Sequence, residues 1–378
     1  MKETGDRLVK VSGRLESIQA LRAVAAIGVV FTHAITRIAR TFPHEANQSL
    51  FVSGEGGQLT VGDAGVDLFF VISGFIMFYV HQEHFGRPGA PTEFLVRRIL
   101  RIVPIYWLLT TIAVFILVLA PQVFTTHYTG FDLPWIVGSY LFLPIAAPGR
   151  EISPVVGVGW TLNYEMLFYA FFACALMLPR RRGLAFLYLC FGAAVAFGTI
   201  LRPSNSWLGF LTNWLLLDFL AGVAIAWWVS TKGKLAPKAS HMLLLAGGLG
   251  LAATIVWTPP EEGPMRFLFW GVPAALIVFA LSSANLPEGK LSRFACFVGD
   301  ASYSIYLFQF FALPLWARVM WSLGAESIPF DVNVLGLTAL ATATGLAGWF
   351  FIERPLGKLT RVLLGSRLPQ RRRPVADG

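Results

Sequence analysis

Arg22 and His33 are the two residues of this chain best placed to do chemistry. They lie eleven residues apart in the apolar run from Ser17 to His33. At ~100° per helical residue, eleven steps bring the second side chain back to within ~20° of the first. A rise of ~1.5 Å per residue separates them by ~16 Å along the axis, about half a bilayer core. A guanidinium and an imidazole thus share one stripe of one helix. Ionisable groups in a membrane are costly and face a protein interior or a wet cavity. Other polar residues fall at matching depths. Asp67, near the start of a second apolar run, and Glu165, about a third of the way into a later one, are expected beside His33 in an outer layer. An imidazole and carboxylates are the usual parts of general base catalysis. Arg97, Arg98 and Arg101 precede the third run and are expected to join Arg22 in an inner, cationic layer suited to phosphates.

The elements that must position these groups follow from composition. Of 378 residues, 56% are hydrophobic and 13% charged. A soluble domain carries about 25% charged residues. The chain therefore reads as all-α, a polytopic membrane protein of about ten transmembrane helices. The expected spans are 17–36, 64–81, 102–120, 158–178, 184–201, 208–229, 240–257, 265–282, 300–321 and 332–353. The stretch 132–147 is apolar but short, and Pro134 and Pro144 interrupt it. It reads as interfacial or re-entrant.

Basic residues orient the bundle. With both termini cytoplasmic, inner segments hold 23 of the 30 Lys and Arg. Outer loops hold only Arg37, Arg40, Arg150, Arg202 and Arg266. Such a bias is what the positive-inside rule expects. The net charge of +9 is then a topology signal, and it gives no support to a nucleic-acid partner. No cleavable signal peptide is expected, because residues 1–16 are too polar and no small-residue cleavage site follows. The domain reading is a cytoplasmic segment at 1–16, a transmembrane unit at 17–356 and a basic, disordered cytoplasmic tail at 357–378, suited to anionic lipid. Cys174, Cys190 and Cys296 match no metal spacing and no disulfide framework.

Several polar residues carry plainer readings. Ser73-Gly74 reads as a close helix-packing point. Asp67 also fits a helix cap. Asp218 is as consistent with a polar contact to Asn213 or another helix as with function. Asp300 and Glu353 read as caps or inner ion pairs.

A ligand that touches both layers needs an anionic head and an arm of ~15–20 Å. Acyl-coenzyme A has that shape. Five stretches together resemble the acyltransferase 3 family of bacterial integral-membrane acyltransferases. They are Gln19-Ala20-Leu21-Arg22 through His33; Gly65 to Phe75; Arg98-Ile99-Leu100-Arg101 with Pro104 and Tyr106-Trp107; Trp160-Thr161-Leu162 with Glu165; and Ser302-Tyr303-Ser304-Ile305-Tyr306-Leu307 followed by Glu353-Arg354-Pro355. The likeness is greatest to members that acetylate exopolysaccharides. It implies that Arg22 and His33 are required for transfer, that Arg98 and Arg101 belong to the acyl-coenzyme A side, and that Glu165 is the family's buried glutamate. Members often carry His where this chain has Gln309, which leaves a hydrogen bond to a ligand as the role open to it.

The expected activity is O-acetyl transfer from cytoplasmic acetyl-CoA to a hydroxyl of an exopolysaccharide or lipid-linked glycan, in the inner membrane. Arg22, Arg98 and Arg101 would hold the donor. His33 would act as base or transient acyl carrier, with Glu165 or Asp67 orienting it, and no metal would be involved. Lipids and polysaccharide assembly proteins are the further expected partners. Two alternatives stay open, a transporter or flippase and an inactive scaffold, although no internal repeat supports the transporter.

Overall fold

A computed structural model describes residues 2–42, 49–51, 61–120, 131–147, 152–203, 206–257, 259–260 and 262–365. Helices α1 to α9 are Lys2–Thr41, Ala64–His81, Ala90–Leu119, Leu133–Tyr140, Trp160–Leu176, Arg180–Leu201, Ser206–Leu211, Leu216–Lys232 and Pro237–Val256. Helices α10 to α15 are Pro264–Arg266, Val272–Ser282, Lys290–Asp300, Ser302–Ser322, Phe330–Gly348 and Arg354–Gly365. Single π turns join α10 to α11 and α14 to α15.

Among the described residues, eight helices are long and apolar enough to span a membrane. Helices α12 and α13, bent by 64°, make a ninth if taken as one span. All ten expected segments are helical over most of their length, with 208–229 interrupted between α7 and α8 and 300–321 starting at the α12–α13 bend. The segment at 158–178 falls short because α5 holds only 17 residues. It reaches ~25 Å, against a hydrocarbon core of ~30 Å. The stretch at 132–147 is not a span. Asp132 caps α4 by accepting from the Trp135 N–H at 2.7 Å, and the helix ends at Tyr140. The tail differs from expectation, since α15 continues to Gly365. Leu356 and Leu359 alternate there with Arg354 and Lys358, an amphipathic pattern that sustains a helix at an interface. Residues 366–378 lie outside the described part.

Two packed clusters make up the core. One joins α2, α3, α5, α6, α8 and α11. The other joins α13 and α14. Helix α2 meets α8 backbone to backbone: a Cβ added at Gly74 would sit 2.0 Å from the Phe219 carbonyl oxygen, and one at Gly222 2.0 Å from that of Val71. Ser73-Gly74 is thus a packing point, as small residues at membrane helix contacts usually are.

Helix α1 lies between the two clusters and serves both. Leu21, Ala25 and Val29 bury into the first, and Ala23, Ala26, Val30 and Ala34 into the second. With Leu21 at 0°, the first set covers ~0–80° and the second ~140–220°. Arg22 and His33 fall at ~100° and ~120°, in the seam between them. Val24 and Ile27, at ~300° and ~240°, are exposed on the far side.

Candidate active site

Helices α1, α2, α3, α5 and α13 enclose a cavity of about 80 Å³, room for several waters. Arg22 enters it from α1, Ser73 and Phe69 from α2, Arg98 and Arg101 from α3, Glu165 and Tyr169 from α5, and Ser302, Tyr303 and Tyr306 from α13. The arginines are placed by packing. Arg22 donates from Nη2 to Ser302 Oγ at 2.9 Å, and its Cζ lies 5.7 Å over the Phe69 ring. Arg98 lies 5.8 Å over Phe94. Buried Nε atoms of both Arg22 and Arg98 have no hydrogen-bond partner. Arg101 is exposed. Arg97 turns away from the cavity and pairs with Glu93, one turn back on α3.

The structure therefore brings Arg22, Arg98 and Arg101 together, leaves Arg97 out of the expected layer, and makes one addition to it. Glu165 belongs to it. Its Oε1 accepts from Ser73 Oγ at 3.3 Å and from the Tyr169 hydroxyl, and its charge acts on both Arg22 and Arg98. The sequence reading placed Glu165 beside His33. Ser73 on α2 and Tyr169 one turn along α5 hold it among the cations instead. Glu353 is a second carboxylate near Arg22 and Arg101, and it accepts a hydrogen bond from Ser304 Oγ. Its direct partner is that hydroxyl, and among the described residues it makes no ion pair with either arginine.

Asp67 is also displaced from its expected place. It is fully buried and paired with Arg266, whose Nη2 and Nε reach Oδ2 and Oδ1 at 2.8 and 3.3 Å. Arg266 itself stacks 4.7 Å from the Trp270 ring. The reason is helical phase. Val66, Phe69, Phe70, Ser73, Ile76 and Met77 form the cavity stripe of α2, within ~60° either side of Ser73, whereas Asp67 points ~120° from it. Arg266 was read as an outer-loop cation. A single Arg opening one apolar run and a single Asp opening another, both on the outer side, were the available signal. Asp218 belongs to the same cluster, close to Asp67 and Arg266. Asn213, by contrast, caps locally through the Leu215 N–H.

His33 does not line the cavity. Half-buried on α1, it holds Gln309 of α13, with Nδ1 and Oε1 2.9 Å apart. Gln309 in turn donates from Nε2 to the Tyr306 carbonyl at 2.9 Å. Tyr306 is a wall of the cavity and ties α13 to α5: its hydroxyl donates to Val158 O at 2.8 Å and accepts from Thr161 Oγ1 at 3.0 Å. The imidazole is therefore connected to the arginine cavity through Gln309 and Tyr306. The bond between His33 and Gln309 was missed, because nothing in the sequence shows which helix faces α1 at that depth.

A family model described as an acyltransferase domain matches residues 15–354, which covers every helix of the site. The chain belongs to the acyltransferase 3 family. It is an enzyme that transfers acyl groups other than aminoacyl groups, built as a multi-pass membrane protein. This acyltransferase is 37% identical over 323 residues to the exopolysaccharide production protein ExoZ of Rhizobium meliloti, a match over 82% of the chain and 95% of the relative. It is 26% identical to the putative membrane-bound transacylase BcsY of Komagataeibacter xylinus, over 81% of the chain and 79% of the relative. With the peptidoglycan O-acetyltransferase OatA of Listeria monocytogenes it shares 23% identity, over 80% of the chain and 50% of the relative. No solved structure matches the chain.

Proposed function

We propose that the enzyme moves an acetyl group from acetyl-CoA, taken up at the cytoplasmic face, to a hydroxyl of an exopolysaccharide or lipid-linked glycan at the inner membrane. One observation carries this reading. A cavity with three arginines lies on the same stripe of α1 as an imidazole ~16 Å further along. The residues fit such a donor. Two arginines keep buried donor atoms unpartnered, and an exposed third marks where an anionic head would enter. Arg22, Arg98 and Arg101 would hold the phosphates. Bound acetyl-CoA supplies the acyl group as an activated thioester.

The remaining chemistry falls to the chain's own groups. His33 accepts the proton of the acceptor hydroxyl, work that an imidazole performs near neutral pH. Glu165 offsets part of the arginine charge and fixes the hydroxyls of Ser73 and Tyr169 in the cavity wall. The names of two relatives, an exopolysaccharide production protein and a peptidoglycan O-acetyltransferase, support a glycan as acceptor. The deciding measurement is O-acetylation of the surface polysaccharide in cells that carry His33→Ala or Arg22→Ala protein at matched membrane levels. Both are expected to lose it. Wild-type acetylation with His33→Ala overturns the proposal.

A further inference from the structure

We propose that Gln309 is a positioning residue that holds His33 in the tautomer with its proton on Nδ1, so that Nε2 is the basic nitrogen. The consequence for transfer rests on the function proposed above; the tautomer does not.

A chain of donors and acceptors fixes the tautomer. Gln309 is buried, 1% exposed, and makes two hydrogen bonds of 2.9 Å. One partner is the Tyr306 carbonyl, which only accepts. The amide NH2 of Gln309 must therefore face Tyr306, and this leaves Oε1 facing His33. Oε1 has no proton to give. His33 Nδ1 must donate, and a neutral imidazole has one N–H only, so Nε2 holds a lone pair. Turning the amide over would set oxygen against the Tyr306 carbonyl and NH2 against the imidazole, giving up the first bond to keep the second.

The reference point is itself immobile. The Tyr306 carbonyl belongs to helix α13, and the Tyr306 side chain is fixed by its bonds to Val158 and Thr161 on the neighbouring segment. His33 Nε2 has no hydrogen bond to a described residue, and it is not among the buried polar atoms lacking a partner. The nitrogen that Gln309 leaves basic is thus the one open to a substrate hydroxyl. An imidazole with the opposite tautomer would present an N–H there and could not take a proton.

The test uses the purified full-length protein with 15N-labelled histidine and no donor or acceptor present. His33 is assigned by comparison with His33→Ala. We expect two-bond 15N–1H correlations showing a protonated Nδ1 and a bare Nε2. Gln309→Met keeps the length of the side chain and removes the amide. It is expected to lose the single tautomer and to slow transfer by about 10- to 100-fold, the range found when a metal-bound histidine loses its orienting partner, with the KM for the donor unchanged. Gln309→His restores an acceptor toward His33 and a donor toward Tyr306, and is expected to recover most of the rate. A wild-type spectrum with the proton on Nε2 overturns the proposal, whether or not any Gln309 variant folds. So does a Gln309→Met protein with the wild-type tautomer. Transfer that survives His33→Ala overturns the functional reading instead, and leaves the tautomer result standing.

Discussion

Glu165 shows how one side chain sets the character of a site. It stands with Arg22, Arg98 and Arg101, where its charge opposes anion binding, yet it also holds Ser73 and Tyr169. Glu165→Gln separates these roles, because the amide oxygen still accepts both hydrogen bonds while the negative charge is gone. Repulsion between Glu165 and an anionic donor is then lost, a gain of order 1 kcal/mol or more at these separations. The expected outcome is a KM for acetyl-CoA lowered about fivefold or more, with the fold's stability kept. Calorimetric titration of coenzyme A into the purified variant checks it, and weaker binding than wild type would contradict it.

At the level of elements, the buried cluster of Asp67, Arg266 and Asp218 ties α2, α8 and the α10–α11 segment together. Asp67→Ala strands a buried guanidinium, and breaking such a pair costs about 3–5 kcal/mol. Asp218→Asn leaves the Asp67–Arg266 pair intact and keeps the size and polarity of the side chain beside it, so its cost is expected within about 1 kcal/mol. Thermal denaturation in detergent should separate the two variants clearly. The same cluster marks the limit of what the sequence discloses. Hydropathy located all ten helical segments, since lipid solvation demands long apolar runs whatever their neighbours. Helical phase along one segment put Arg22 and His33 on one stripe, because azimuth within a helix is local information. Which helix faces which is not local. Depth alone grouped Asp67 and Glu165 with His33, and packing sent the first to Arg266 and the second to the arginines. Gln309 stood out in the sequence only as a departure from the family pattern; its partner emerged once α13 was seen lying against α1.

For the whole molecule, the decisive arrangement is α1 running along the seam of two packed clusters, with Arg22 and His33 both turned into that seam. A rigid helix in this position is a ruler. It sets the interval between the arginine end and the imidazole end, and the two flanking clusters lock its phase. The ruler has a property no side-chain substitution can probe. One alanine inserted after Gly28 advances everything beyond it by ~1.5 Å, a negligible change in reach, but turns it by ~100°. His33 would swing from the seam to ~220°, onto the face that packs against the second cluster, and Gln309 would lose its partner. The insertion is expected to abolish glycan acetylation in cells while coenzyme A still binds at the arginine end. Retained acetylation would show that the interval and phase of α1 do not matter. If the expectation holds, this enzyme measures its substrates with a length of backbone, and tolerance to change along α1 should follow angle before distance.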